Sequence, residues 1–540
     1  MTLKTERRRE KLEDCMELKR LFLGKSLLRH QSPLPPKSEN GIVEVRLPSQ
    51  PRGVSFYVAG NIIPGLSNEY TIAVNPEHPE QIAVSANDYS SPGNEPQGYV
   101  ESSQDTAQNF VRYKVPENPR TLWPVNGDMI LRPKPGGGFY GSEMAFAFTP
   151  QDNNGMKVFT VNPDGSIDPK SVKWVVRHSG TGNSKSFEDK DNLAVDLDPA
   201  SKTYGWRIFT NTQFHPNGTS QINLYLIDPE NRISQPVNIT NQTNQNEVQW
   251  SAPVFGKGGS MDVAFRDYNT GWICDAHSPG VNLSALADSW KGKIRKFVNF
   301  GNSMANKQQN LTFKPAKPIA PIVKPVEEYY QEKYGPDFRV LSAPQMVSNP
   351  ADGSLYMVYD DAKSGKSQTY LVKGDGEGNW SKPLAVGGSD IDHWMSSAAV
   401  DSKSGIVAVT YRALQSDGNT YIREGVLSFD GGKTWTDPIN LSYHPSLRMQ
   451  DGFQGKFDGD YEETGIGTKQ DSQGNTILYL YAPHQETPYG KDASVASLRI
   501  GTLVADLPKR LLEQAKNGNQ AASAALSAII KVGAENASAI

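Results

Sequence analysis

Seven times in the middle of the chain a short apolar strand, a polar turn and a second apolar strand follow one another. The copies are NEYTIAVNPEHPEQIAVSAND from Asn68, SEMAFAFTPQDNNGMKVFTVN from Ser142, DNLAVDLDPASKTYGWRIFTNT from Asp191 and SAPVFGKGGSMDVAFRD from Ser251. SAPQMVSNPADGSLYMVYDD from Ser342, SSAAVDSKSGIVAVTYRA from Ser396 and ETGIGTKQDSQGNTILYLYAPH from Glu463 complete the set. Alternating apolar positions bounded by Asn, Asp, Gly and Pro read as β-hairpins. A hairpin repeated at this spacing predicts an all-β chain, a seven-bladed β-propeller whose blades leave only short protected edges. Six blades is the alternative, if one weaker copy is an outer strand pair.

The patterning also sets three segments. Residues 1–40 read as helix and linker: 1–30 as a charged amphipathic helix, with Leu12, Met16 and Leu23 at helical spacing, then QSPLPPKSENG, which breaks it. β-type texture runs over residues 41–506, and an Ala- and Leu-rich helical tail occupies 507–540. Between about 284 and 337 the alternation stops. That stretch carries Lys291, Lys293, Arg295 and Lys296 and then FKPAKPIAPIVKPVEE, and it reads as a basic, proline-rich surface insertion. A protein with an acidic surface would suit it as a partner.

Composition narrows the functions. The 48 glycines, 37 prolines and 22 tyrosines suit many short strands and turns. A net charge of −4 opposes a nucleic-acid binder that works by neutralising phosphates. Cys15 and Cys274, the 2 cysteines, give no disulfide framework. No apolar run reaches membrane-spanning length, and the N-terminus lacks the apolar core of a Sec signal. There is no HExxH, no zinc-spaced Cys/His cluster and no P-loop, so no cofactor is expected. SKSFEDKDN and FDGDYEE are acidic enough for Ca²⁺ but lack EF-hand spacing.

SFDGGKTW, Ser428 to Trp435, falls in the outer half of the sixth repeat, and two weaker copies, SSQDTAQNF and KGDGEGNW, sit at comparable offsets with an aromatic five residues after Asp105 and Asp375. A short carboxylate that accepts turn N–H bonds, glycines that permit positive φ and an aromatic plug make this a scaffold element. Ser428-x-Asp430-x-Gly432-x-Thr434-Trp435 resembles the Asp-box, or BNR repeat, of sialidase-like β-propellers, and NEYTIAVNPEHPEQIAV, FEDKDNLAVD, DHWMSSAAVD and FDGDYEETGI resemble hairpins of the same superfamily. The likeness covers about residues 60–505. It implies a turn between the third and fourth strands, on the face away from the site.

A hairpin returns to the side it left, so each blade brings the start of one strand and the end of the next to one mouth of a central channel. Glu69, Asp189, Trp250, Asp267, Asp392, His393, Trp394 and Asp460 gather there as candidate ligand-binding residues. Carboxylates with aromatics suit a carbohydrate or another small polar ligand, although strand-end Asp and Asn residues also serve as backbone staples.

The resemblance implies sialidase chemistry: an arginine triad on the substrate carboxylate, a tyrosine nucleophile with a glutamate, and an aspartate acid/base. The positions available for these roles are Arg266 and Arg412 for the triad, with Arg448 or Arg207 third, Tyr461 with Glu462, and Asp191. The nearest string to the family's Arg-Ile-Pro motif is Arg46-Leu47-Pro48, ahead of the first hairpin. Two functions follow, and the fold does not choose between them. One is an exo-acting glycoside hydrolase on a terminal polar or acidic sugar of a glycan or glycoconjugate. The other is a non-catalytic propeller that binds glycan or protein at the same mouth. For location, the resemblance implies an extracellular role, reached by a route other than Sec.

Overall fold

A computed structural model of the chain describes residues 54–63, 67–89, 97–116, 125–146, 154–178, 186–215, 217–240, 247–280, 311–335, 339–388, 390–442, 444–447, 459–486 and 497–538. The helix expected within residues 1–40, Arg46-Leu47-Pro48, Cys15, the basic run Lys291–Lys296, Arg448 and Asp458 all lie outside them. Cys274 is buried in blade four.

The strands form seven antiparallel sheets, each a blade of four strands with one extra short strand in the sixth. The inner strands are β2 (Ser67–Val74), β6 (Val125–Pro133), β10 (Phe187–Val195), β14 (Val248–Phe255), β18 (Gln345–Ser348), β22 (His393–Val400) and β27 (Gly465–Gln470). Each touches the inner strand of the next blade, and β27 returns to β2, so the ring is closed. The N-terminal strand β1 (Val54–Ile63) pairs with β29 (Ser497–Leu507) and becomes the outermost strand of blade seven. This is a seven-bladed β-propeller. Apolar side chains between blades form the core. Tyr70 and Ile72 of blade one pack with Tyr481 and Ile500 of blade seven, for example.

The hairpins read from sequence are the first two strands of their blades, with one exception. The copy from Ser142 spans β7 (Phe139–Phe146) and β8 (Asn154–Val161), the second and third strands of blade two. The true inner strand, VNGDMILRP, hides its alternation behind a polar start. The segment 284–337 is likewise not wholly an insertion. Lys317–Pro321 is the outer strand of blade four, where Pro318 and Pro321 leave the free edge undisturbed. A helix at Val326–Tyr334 follows, with Glu327 and Glu328 in its first turn. It docks through Val326 and Tyr330 against Trp394 and Tyr421 of blade six.

The helices Lys509–Lys516 and Gln520–Ser538 lie against blades six and seven. Ala522, Leu526 and Ile530, one helical turn apart, are buried with Phe56, Leu503 and Leu441. None of the described helices is long and apolar enough to cross a membrane.

Five inner strands share a bulge near their first residues, where the pairing slips at Asn68/Thr71, Gly127/Ile130, Asp189/Asn192, Gln249/Ala252 and Trp394/Ser397. The residue just inside each slip has positive φ: Glu69 at 59°, Asp128 at 52°, Lys190 at 46°, Trp250 at 63° and Met395 at 52°. Left-handed backbone costs a non-glycine residue about 1–3 kcal/mol. Its recurrence at one mouth of the ring marks where the fold re-aims side chains.

Candidate functional site

The turn Ser428–Trp435 joins the third strand of blade six, β24 (Thr420–Ser428), to the fourth, β25 (Ile439–Asn440). Asp430 Oδ1 accepts from the N–H of Lys433 (3.0 Å) and Thr434 (2.9 Å), and Oδ2 accepts from the Thr434 hydroxyl (2.7 Å). Burial opposes ionisation of Asp430, but the Thr434 N–H and hydroxyl outweigh it and hold the carboxyl below its usual range. Gly431 and Gly432 take φ of 74° and 86°, which the tight loop requires. Asp105 and Asp375 hold Asn109 and Asn379 in the same way, each through the backbone N–H and the side-chain amide, and each after a third strand. All three are scaffold.

At the opposite ends of the strands the bulges bring charged groups together. Asn87 Nδ2 donates to Glu69 Oε2 (2.8 Å) and to Asp128 Oδ1 (3.3 Å), and Asp128 N donates to Asn87 Oδ1 (2.7 Å). The Asp128 carboxylate lies near enough to Glu69 to push its pKa up. Asp460 N donates to Glu69 Oε1 (3.3 Å), and Arg339 Nη2 pairs with Asp460 Oδ2 at 2.5 Å. Gly459 carries this approach: its φ is 99°, and a Cβ would stand 3.0 Å from the Glu69 nitrogen. Lys190 Nζ lies 3.2 Å from the centroid of the Tyr461 ring. Behind this group runs a central channel of about 220 Å³ with walls of mixed polar and apolar character, crossed by the bidentate Arg132–Glu463 pair (2.8 Å to each oxygen).

Burial pushes the Glu69 carboxyl well above the usual carboxylate range, and Asp128 and Asp460 push the same way. Asp460 is raised by burial; Arg339 restrains the rise while Asp128 and Asp189 add to it. Asp191 is fully buried. Its Oδ2 accepts the Ser142 hydroxyl, and burial lifts it to about 8. Burial and the charges of Glu69 and Asp128 push the Tyr461 phenol well above its usual value. Burial therefore favours the protonated form of Glu69 and Asp191 at this mouth.

Other predicted positions have structural partners. Glu462 is clamped by Arg412 Nη2 (2.6 Å) and Arg423 Nη1 (2.8 Å), all three fully buried. Burial alone would raise Glu462; the two arginines outweigh it and hold the carboxyl below its usual range. Arg266 is taken by Glu327 at 2.5 Å and by the Ser342 carbonyl. Arg207 holds the Asp228 carbonyl and Asn231. Asp267 caps its own turn through Asn269 N and the Thr270 hydroxyl. Asp392 accepts from Tyr329 (2.9 Å), Lys333 (2.5 Å) and Ser367 N (2.9 Å), which fastens the Val326–Tyr334 helix. His393 stacks on Tyr411 with ring centroids 4.0 Å apart, and burial lowers its pKa to about 4. Trp394 is fully buried between Tyr330 and Tyr421, and Trp250 is buried with Nε1 donating to the Tyr268 hydroxyl (2.8 Å). Neither is an exposed stacking platform.

Thus Glu69, Asp189, Lys190, Asp191, Asp460 and Tyr461 come together, while Arg266, Arg412, Glu462, Asp267, Asp392, His393 and Trp394 do not join them. Asp128 and Arg339 were missed. Asp128 was findable: NGDMIL repeats the polar-then-alternating start of SNEYTI. The acidic stretch around Glu188 closes on itself, since Glu188 binds His178, Asn211 and Gln213. Among the described residues no group of three His, Cys, Asp or Glu side chains is arranged to hold a metal ion.

No protein-family model matches the sequence, and no curated protein matches it. Among solved structures, the chain is similar to Penicillium chrysogenum alpha-L-arabinanase complexed with arabinobiose, at 10% identity over 66% of this chain and 94% of that one, with a TM-score of 0.39. It is similar to Trypanosoma rangeli sialidase in complex with the inhibitor DANA, at 10% identity over 65% and 53%, TM-score 0.36. The GH93 alpha-L-arabinofuranosidase of Fusarium graminearum gives 8% identity over 81% and 92%, TM-score 0.38. At these scores the likenesses carry no argument, and the propeller rests on its own sheets.

Proposed function

We propose that the chain is a glycoside hydrolase of sialidase-like propeller architecture, with the Ser428–Trp435 turn as its Asp-box, acting on the terminal polar sugar of a glycan. One observation carries the reading. At the bulged mouth Glu69, a carboxyl that burial pushes toward its protonated form, stands beside Asp460, whose Oδ2 is paired with Arg339. Glycosidic cleavage uses one protonated carboxyl and one ionised one, and the Arg339 pair is what would keep Asp460 ionised against the burial that raises it. Glu69 gives its proton to the leaving oxygen. Asp460 either attacks the anomeric carbon or draws a proton from water, and the anomer released tells which.

An acidic sugar suits this mouth poorly. Arg266 is committed to Glu327 and Arg412 to the buried Glu462, so neither is open to a substrate carboxylate. The raised phenol of Tyr461 under Lys190 also disfavours a tyrosine nucleophile.

The test is turnover of a panel of nitrophenyl glycosides that includes a sialoside, with product anomers followed by NMR. Glu69→Gln should lower kcat by about 10²–10⁴-fold, the usual size of a general-acid contribution, and Asp460→Asn should also abolish most turnover. Tyr461→Phe should keep it. Sialoside turnover abolished by Tyr461→Phe would overturn this assignment in favour of tyrosine chemistry. No turnover on any substrate, with glycan binding intact, would make the chain a recognition module.

A further inference from the structure

Arg339 reaches Asp460 from a segment that is fastened just beyond it. Ser342 is fully buried, and every polar atom it has is engaged. Its N–H donates to Glu327 Oε2 (3.1 Å), its carbonyl accepts from Arg266 Nη1 (3.2 Å), and its hydroxyl accepts from Val326 N (2.9 Å). Glu327 closes this hub with its other oxygen, Oε1, which stands 2.5 Å from Arg266 Nη2. One carboxylate thus holds the Ser342 backbone and also the arginine that holds it from the other side. Between the hub and Arg339, Val340 is buried with Val326, Tyr330, Trp394 and Met395, the last being the left-handed residue of the blade-six bulge. The three residues from Arg339 to Ser342 span at most about 11 Å of extended chain. Hub and packing together leave the Arg339 backbone little play, and its Nη2 lies 2.5 Å from Asp460 Oδ2.

We infer that Glu327 is a positioning residue for the mouth: with Arg266 it fixes Ser342, and from that fixed point it holds Arg339 on Asp460. This rests on the proposed function only for the consequence that Asp460 reacts; the positioning stands apart from it. Arg266 then serves the mouth one step removed, instead of holding a substrate carboxylate. Fastening the backbone of Arg339 removes part of the ordering cost that makes loosely held ion pairs weak. Burial, Asp128 and Asp189 push Asp460 toward its protonated form, while Arg339 and Lys190 oppose them. Glu69 and the phenols of Tyr89 and Tyr268 feel the same carboxylate. Of these groups Tyr268 also touches the hub, with its ring centroid 4.1 Å from the Arg266 guanidinium. That second route from Glu327 to Asp460 is the one to be separated from Arg339.

Urea unfolding of the full chain between pH 4 and pH 9 tests this without a substrate. The difference in unfolding free energy between a protein and its Asp460→Asn form follows the protonation of Asp460. Arg339→Met should move that titration up by at least about one pH unit, the ordinary effect of a lost arginine partner. Glu327→Ala should move it in the same direction, about half as far. In the Arg339→Met background Glu327→Ala should add nothing, because the group it positions is gone. An unmoved titration in Glu327→Ala would overturn the inference. So would an undiminished shift in the Arg339→Met background, which would make Tyr268 the route. Where Glu327→Ala does not fold, Glu327→Gln keeps one accepting oxygen and is read in the same way. If glycosides are turned over, the acidic limb of kcat/KM against pH should shift with the titration in each variant. A shifted titration without turnover of any glycoside would reject the hydrolase and keep the inference; turnover whose acidic limb ignores Glu327 would do the reverse.

Discussion

Asp460 and Glu462 stand two residues apart and receive opposite treatment. Glu462 is fully buried between Arg412 and Arg423, both oxygens taken, and is held ionised. Asp460 has one arginine, one open oxygen and anionic neighbours, and it is pushed toward protonation. The same short segment thus builds a saturated clamp between blades six and seven and an unsaturated mouth beside it. Saturation marks a part that holds the ring together. Unsatisfied charge marks a part with room for something else.

The largest expected effect breaks the clamp. Glu462→Gln leaves two buried guanidinium groups short of their carboxylate and should cost about 3–5 kcal/mol in urea unfolding, because a lone buried charge is worse than none. The combined change Arg412→Met, Glu462→Leu, Arg423→Met removes all three charges and should recover most of that loss. Failure to recover would mean that the hydrogen bonds of Arg423 to the Met395 carbonyl and Thr410 matter more than charge balance. Next in size, Asp430→Ala should cost about 1–2 kcal/mol by freeing turn N–H groups. Asp105→Ala, at an exposed copy of that turn, should cost less, and the two denaturation midpoints give the comparison directly.

The pH dependence sharpens the contrast, since the two kinds of carboxyl act with opposite sign. Glu462 and Glu463 are depressed in the fold, so the stability they contribute is present above the ordinary glutamate pKa and is lost as pH falls through their lower folded values. Asp191 is raised to about 8, so the fold binds its proton more tightly than the unfolded chain does, and stability declines as pH rises from about 4, the usual aspartate value, toward about 8. Asp191→Asn should barely change the urea midpoint at pH 4, the smallest effect of the set, yet be more stable than the parent at pH 8. An unchanged slope between those values would place the titrating group elsewhere.

The architecture was legible because each blade repeats one pattern, a short apolar strand, a polar turn and a second apolar strand. Blade two slipped because VNGDMILRP begins with polar residues that serve the bulge, so its second strand looked like its first. The site was legible only in part. Residue type and strand end placed Glu69, Asp460 and Asp191 at the right mouth. Nothing in the sequence told that Arg266 would meet Glu327 from a helix 61 positions on (327 − 266) or that Arg412 would be spent on Glu462. Long-range ion pairs have no periodic signature, and they decide which charges are left over.

Closing the ring with β1 has a kinetic consequence. Val54 pairs with Ala505 and Phe56 with Leu503, so the seam of blade seven joins segments from opposite ends of the chain. During synthesis the early strand waits, unpaired, until its partner leaves the ribosome, and contacts of such separation form slowly. An exposed strand in that interval invites pairing with another copy. Moving the chain's ends to a different blade boundary by circular permutation would make blade seven continuous and shift that waiting edge elsewhere, so refolding yield at high concentration should follow where the seam is placed.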